Sequence, residues 1–174
     1  MAKMTTIKEL AVISNLAPST ISKALNDSSE ISEKTRSKVK KIAEEHGYIA
    51  NNIARSLKLK RTGTIGVIVP NIIDCFFRKV LQGIEAEASK NGYSVFLTFS
   101  DDRREDEEQR LIKLLNQSVD GILISVSKQT QESNNYDGIV NARTYGVPLV
   151  MFDRVNKRLP FDTVSIDDFA GAFK

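Results

Sequence analysis

Thr6-Ile7-Lys8-Glu9-Leu10-Ala11, followed by Ser14-Asn15-Leu16 and then Pro18-Ser19-Thr20-Ile21-Ser22-Lys23-Ala24-Leu25-Asn26, decides the fold of the first third of this chain. Thr6 through Glu9 fits a capping box, in which a Thr oxygen accepts from a free backbone N–H and the Glu reaches back to the Thr amide. Ile7, Leu10 and Ala11 follow at helical spacing. Asn15 can take the left-handed turn conformation that Gly usually supplies. Pro18 is favoured as a first helical residue. Ile21, Ala24 and Leu25 then form an inner face, leaving Pro18, Ser19, Ser22 and Lys23 outside, mostly small and polar. Two helices with so tight a turn predict a unit that lays its second helix against base edges in a DNA major groove.

Working outward, Ser32 caps a third helix predicted from Glu33 to His46, with Val39, Ile42 and Ala43 inside and Gly47 as terminator. Its outer face carries Lys34, Arg36, Lys38, Lys40 and Lys41. Residues 1–61 hold twelve Lys/Arg against six Asp/Glu, a net +6, whereas the remainder holds thirteen against sixteen, a net −3. The formal +3 of the 174-residue chain therefore hides a basic head on an acidic body, and the head alone is suited to a polyanion.

Other classes of function find little support. His46 and Cys75 are the only residues of their types and lie far apart, so neither a nucleophile–base pair nor a Cys/His metal site is expected. Gly63-Thr64-Ile65-Gly66 precedes a strand, where a phosphate-binding glycine loop would follow one. The acidic run Asp101 to Glu108 reads as the solvated, dipole-favoured start of a helix. The reading is thus of a protein that is not an enzyme and has no cofactor or metal. A lone cysteine, no apolar run of membrane-spanning length and no apolar leader point to a cytoplasmic location without membrane contact. The lack of an apolar leader, together with the basic head, argues against a periplasmic sugar binder.

The head resembles the lactose/galactose-repressor family of bacterial transcription regulators. Thr6 to Ala11 is similar to that family's opening helix, Ser19 to Asn26 to its recognition helix, and Ile31 to Arg36 with Gly47-Tyr48 to its third helix. Asn52-Ile53-Ala54-Arg55-Ser56-Leu57 is similar to its hinge, and Thr64 to Pro70 to the first strand of its regulatory domain. The chain departs from the pattern at three places: Asn15-Leu16-Ala17 stands for Gly-Val-Ser, Lys23 for Arg, and Ala50 for Pro. Ala17 cannot cap the second helix, a loss of roughly 1 kcal/mol. Lys23 can still donate to guanine O6 and N7 but lacks a rigid fork.

The resemblance implies a homodimer on a near-palindromic operator in double-stranded DNA, acting more often as repressor than activator. It implies base reading by Ser19 and Lys23, with Pro18 and Ser22 on the same face, and phosphate contacts by Thr6, Thr20, Asn26 and Ser32. The hinge, too short to be a stable helix alone, would order over the operator centre with Leu57 wedged into the minor groove and Ala54 beside it. Its implied divisions are a lambda-repressor-like helix-turn-helix head at 1–50, a hinge at 51–62, and at 63–174 one incomplete lobe of a type I periplasmic-binding-protein-like domain. On this reading the chain is a fragment of a two-lobed protein.

The pattern of the body supports an α/β, doubly wound parallel sheet in its own right. Ile65 to Val69 is continuously apolar, as for a strand buried on both faces. Phe76, Phe77, Val80, Leu81, Ile84 and Ala88 recur at helical spacing, a second strand runs from Ser94 to Phe99, and a helix from Glu105 to Gln117. Further strands are expected at 119–126, 148–152 and 163–166, a polar loop at 127–136, and a last helix from Asp167. Ligands of such sheets sit beyond the carboxyl ends of the strands at the switch in strand order. That selects Asn71, Asp74, Phe76, Phe77 and Ser125, with Asp153 and Arg154 beyond the fourth strand, as candidate effector residues. Of the aromatic pair, one is expected in the core and one in the cleft. Asp74 or Arg154 is expected either to bond a polar effector or to form a surface pair. Family resemblance makes sugars the commonest class of small-molecule effector, and places the dimer contact on the Phe76 helix and the second strand.

Overall fold

The structure, a computed structural model, describes residues 5–49, 61–73 and 75–167. The chain divides into two compact units, Met1–Asn52 and Ile53–Lys174.

In the first unit, α1 spans Ile7–Ser14, α2 Pro18–Leu25 and α3 Glu33–Glu45. The capping box forms as the sequence predicts: the Glu9 amide donates to Thr6 Oγ1 at 3.3 Å, and Thr6 N donates to Glu9 Oε2 at 2.7 Å. Asn15 sits in the left-handed region at φ 52° and ends α1. Ala17 precedes α2 without a side-chain cap, and Pro18 takes the first turn. Leu10, Ala11, Ile21, Ala24, Val39 and Ala43 are buried together, one face from each helix. Full burial of a side chain the size of Leu10 or Ile21 stabilises by about 1.5–3 kcal/mol. That burial, rather than helix propensity, holds three helices of 8 to 13 residues. Thr5 Oγ1 closes the unit by donating to the carbonyl of His46 at 2.7 Å.

The second unit contains a five-stranded, all-parallel sheet in the order β2-β1-β3-β4-β5. The strands are β1 Thr64–Val69, β2 Ser94–Phe99, β3 Gly121–Ile124, β4 Leu149–Phe152 and β5 Asp162–Val164. Between them run α4 Cys75–Lys90, α5 Arg104–Asn116, α6 Lys128–Ser133 and α7 Asp137–Ala142. Alternation along β1 divides the core: Val67 and Val69 pack with Phe77 of α4, and Ile68 packs with Leu111 and Leu114 of α5 and Ile139 of α7. Helices therefore cover both faces, the doubly wound plan. Asp120 anchors the entry to β1, its two carboxylate oxygens accepting from the amides of Thr62 and Gly63, each at 2.8 Å.

Several boundaries differ from the sequence reading. β3 is shorter at both ends than the apolar run 119–126, and β5 begins and ends earlier than 163–166. The segment 127–136, expected as a polar loop, contains α6. Six polar residues carry no apolar period, but Ser127 caps them by accepting from the Thr130 amide at 3.1 Å. The helix expected beyond Asp167 lies outside the described residues.

Gly66 is where β1 and α5 come closest. A Cβ there would lie 2.6 Å from Cδ1 of Leu114, itself fully buried. Gly66→Val is expected to destabilise the second unit by about 1–3 kcal/mol through overpacking, measured by urea unfolding; an unchanged midpoint would show that Leu114 moves aside freely.

Candidate nucleic-acid interface and ligand loops

In the first unit, α2 leaves Pro18, Ser19 and Lys23 exposed, with Ser22 half-buried beside them. Ser19 and Lys23 are four residues apart and lie on one row, as do Pro18 and Ser22. The opposite side of the same helix holds Ile21 and Ala24 in the core, so this face cannot turn inward. The four residues expected to read bases thus share one exposed surface. Of the four expected at phosphates, Thr6, Asn26 and Ser32 are exposed and each terminates or caps a helix, whereas Thr20 is half-buried. Asn26 Nδ2 donates to Ser22 O at 2.7 Å, and Ser32 Oγ accepts from the Thr35 amide at 3.3 Å.

Two carboxylates that the sequence reading passed over organise this surface. Glu30 accepts a 2.5 Å ion-pair hydrogen bond from Lys23 Nζ. Asp27, at φ 54°, accepts from Lys40 Nζ at 2.6 Å, and its carbonyl accepts from Arg36 at 3.2 Å. The hydrogen bond from Lys40 holds the Asp27 carboxyl below the usual carboxylate range. Arg36 and Lys40, expected to face a polyanion, are thereby turned toward the loop after α2. The only sequence signal was two acids in the short segment between two basic helices. Ala54 and Leu57, expected in the minor groove, lie outside the described residues, as does Asp74.

In the second unit, the loops after β1, β2, β3 and β4 meet at the carboxyl edge of the sheet. The strand order places β1 beside β3, the switch on which the ligand expectation rested. Asn71 caps its own loop, its Oδ1 accepting from the Ile73 amide at 3.1 Å. Phe77 is 4% exposed and belongs to the core, while Phe76 is 38% exposed and meets it edge to face at 5.3 Å. Ser125 is buried and donates to Asp153 Oδ2 at 3.2 Å, with Asp153 at φ 60°. Arg154 is paired through Nη1 with Asp102 Oδ1, an atom that also accepts from the Lys128 amide at 2.8 Å. Asp102 thus ties together the loops after β2, β3 and β4.

The acidic run at 101–108 is more than a solvated helix start. Glu107 is 1% exposed. Its Oε1 accepts from Thr130 Oγ1 at 2.6 Å, and its Oε2 accepts from the Ser127 amide in a short hydrogen bond. Burial pushes the Glu107 carboxyl above its ordinary value, against the lowering effect of those donors. Sequence reasoning missed this residue because its neighbours Glu105, Asp106 and Glu108 are all acidic. Among the described residues no group of three His, Cys, Asp or Glu side chains is arranged to hold a metal ion, and no helix is long and apolar enough to cross a membrane.

Comparison with known proteins bears on both units. Residues 6–51 match the bacterial regulatory proteins of the lacI family, and residues 62–171 match the periplasmic binding proteins and sugar binding domain of that family. The chain is 30% identical over 168 residues to the HTH-type transcriptional repressor CytR of Escherichia coli K12, covering 97% of this chain and 48% of that protein. It is 35% identical over 171 residues to the sucrose operon repressor of Streptococcus mutans, covering 98% and 50%. A crystal structure of the Lac repressor dimer bound to operator and the anti-inducer ONPF superposes with a TM-score of 0.76 at 25% identity, covering 95% of this chain and 49% of that one. The chain spans about half the length of the curated relatives it matches. With the two matches together running through both units, the chain belongs to the LacI family of bacterial regulatory proteins.

Proposed function

We propose that this chain is the DNA-binding and first-lobe portion of a cytoplasmic transcriptional repressor that binds a palindromic operator as a homodimer under the control of a small-molecule effector. The observation that carries the reading is the exposed Pro18–Ser19–Ser22–Lys23 face of α2, held outward by the buried Ile21 and Ala24 on its other side. Small side chains let the helix backbone approach base edges, and Lys23 supplies a donor for guanine O6 and N7. Thr6, Thr20, Asn26 and Ser32 serve the phosphates, and residues 51–62 act as a hinge with Ala54 and Leu57 at the minor groove. Support also comes from the names of the relatives: two are repressors, and the Lac repressor is seen as a dimer on its operator.

The effector sits at the carboxyl edge of the sheet, where Asn71, Asp153 and Arg154 supply polar groups and Phe76 one exposed ring; the buried Ser125 supports Asp153, Phe77 supports Phe76 from the core, and Asp74, outside the described residues, is assigned to the same set. A sugar suits this set, since its hydroxyls both donate and accept and its ring carbons stack on an aromatic face. The similarity to a sugar binding domain and to a sucrose operon repressor favours the same class. Residues 63–174 would form one lobe of a two-lobed ligand domain.

The test is selection of bound duplexes from a random pool on the full chain, followed by affinities across a salt series. A repressor gives one enriched, near-palindromic site and a steep fall in affinity with salt. Lys23→Ala is expected to weaken the selected site by about 1–3 kcal/mol and relax preference at one base pair. No enrichment over scrambled duplex would reject the proposal, and weakening equal on every sequence would reassign Lys23 to the phosphate backbone.

A further inference from the structure

Lys23 enters a groove with a handicap. Its ammonium is a point charge on a flexible stem, whereas Arg brings a planar fork whose donors are fixed relative to one another. A flexible ammonium reaches several neighbouring acceptors with similar ease, which supports affinity but discriminates poorly between bases. In this head that freedom is removed from outside the helix. Glu30, seven residues further on and beyond the end of α2, holds Lys23 Nζ at 2.5 Å. Both side chains remain about half or more exposed, so the ammonium keeps its other N–H donors toward solvent.

The backbone that carries Glu30 is itself pinned. Ser28 N donates to Lys23 O at 3.0 Å, folding the loop back on the last turn of α2. Ile31 N donates to Ser28 O at 3.2 Å, and the Ile31 side chain packs on the core of the head. Asp27 binds the loop to α3 through Lys40 and Arg36 at 2.6 and 3.2 Å. Each residue from Asp27 to Ile31 except Ser29 thus has a stated partner, and Glu30 stands on a fixed base. An acid is also an expensive choice beside a polyanion, because it repels phosphate on every sequence alike. Its presence at the one lysine on the exposed face of α2 requires a return that general affinity does not supply.

We propose that Glu30 is a specificity-determining positioning residue: it orients the Lys23 ammonium so that a lysine reads one base pair with the selectivity of a directed donor. The inference rests on the reading of Lys23 as a base contact. Glu30 acts through Lys23 and touches no base itself. It trades uniform affinity for discrimination at a single position.

The test uses the full chain, the duplex selected on it, the three single-base variants at each position, and a scrambled duplex. Glu30→Gln removes the charge from an exposed side chain and leaves the fold intact, checked by its melting curve. Expected are tighter binding to the scrambled duplex and a loss of preference, up to about fivefold (the factor an exposed ion pair corresponds to), confined to the base pair at which Lys23→Ala also loses preference. In the Lys23→Ala background, Glu30→Gln should leave the preference profile unmoved. Preference retained in Glu30→Gln while Lys23→Ala loses it overturns the role of Glu30 alone. Preference retained in both variants overturns the base contact by Lys23 and, with it, this proposal. Loss spread evenly over all positions assigns Glu30 to general electrostatics and overturns the proposal as well.

Discussion

Glu107→Ala is expected to lower the unfolding free energy of the second unit by about 3 kcal/mol or more, whereas Glu107→Gln should leave it folded and gain ground as the pH rises. The alanine variant strips the acceptor from two buried donors, the Ser127 amide and the Thr130 hydroxyl. Each orphaned group costs about 1–3 kcal/mol, and the cavity adds to that. Glutamine fits the same space: its carbonyl accepts from Ser127 N, and its amide donates to Thr130 Oγ1, which also accepts from Ser127 Oγ at 2.9 Å, so one hydroxyl proton rather than two buried donors loses its acceptor.

The pH dependence follows from the raised carboxyl. A proton binds Glu107 more tightly in the folded state than in the unfolded one. The stability this brings is complete below the unfolded value and is lost as the pH rises through the higher folded value. Glutamine does not titrate. Urea midpoints measured from about pH 4 to about pH 8 should therefore show the native protein losing its advantage over Glu107→Gln toward the alkaline end. A difference that stays constant with pH would mean that burial does not set the protonation of Glu107.

Ile21→Ala should have the second large effect, on DNA binding through the stability of the head. Ile21 is fully buried at the centre of a core of six residues. Truncation of a buried Ile costs about 2–5 kcal/mol, and a unit of roughly fifty residues has only about 2.5–7 kcal/mol in all. Most of the head's stability would go, and with it the fixed outward face of α2. Binding to the selected duplex is expected to fall by about a hundredfold or more, with amide protection lost across α1, α2 and α3. Lys8→Ala, at an exposed position of α1, serves as the comparison and should bind normally. Retained protection together with binding within a few-fold of the native chain would show that the core tolerates the cavity.

The head was legible because its determinants are local. A capping box, a left-handed Asn, a Pro in the first turn and a Gly terminator each act within four residues, and all four stand where the sequence put them. The doubly wound sheet was legible from its continuous apolar strands. The roles of Glu30, Asp102 and Glu107 were not, because each acts on a partner from another element. Lys23 and Glu30 meet only through the loop that folds back on α2, and Asp102 meets Arg154 across 52 residues of sequence. The α6 segment misled for a related reason: it is held by the buried Glu107 rather than by an apolar stripe of its own. Charge on a side chain reads as solvation until packing shows otherwise.

The position of β1 between β2 and β3 has a kinetic consequence. Its two neighbours are β2, about thirty residues downstream, and β3, with Ile65 paired to Gly121. Parallel pairing across such separations incurs the loop-closure entropy before any ladder forms, which slows the body's assembly. The three helices of the head meet across short turns and face no such delay. During synthesis from the N-terminus, the head's contacts are complete while β3 is still to be made, so the two units mature on separate clocks.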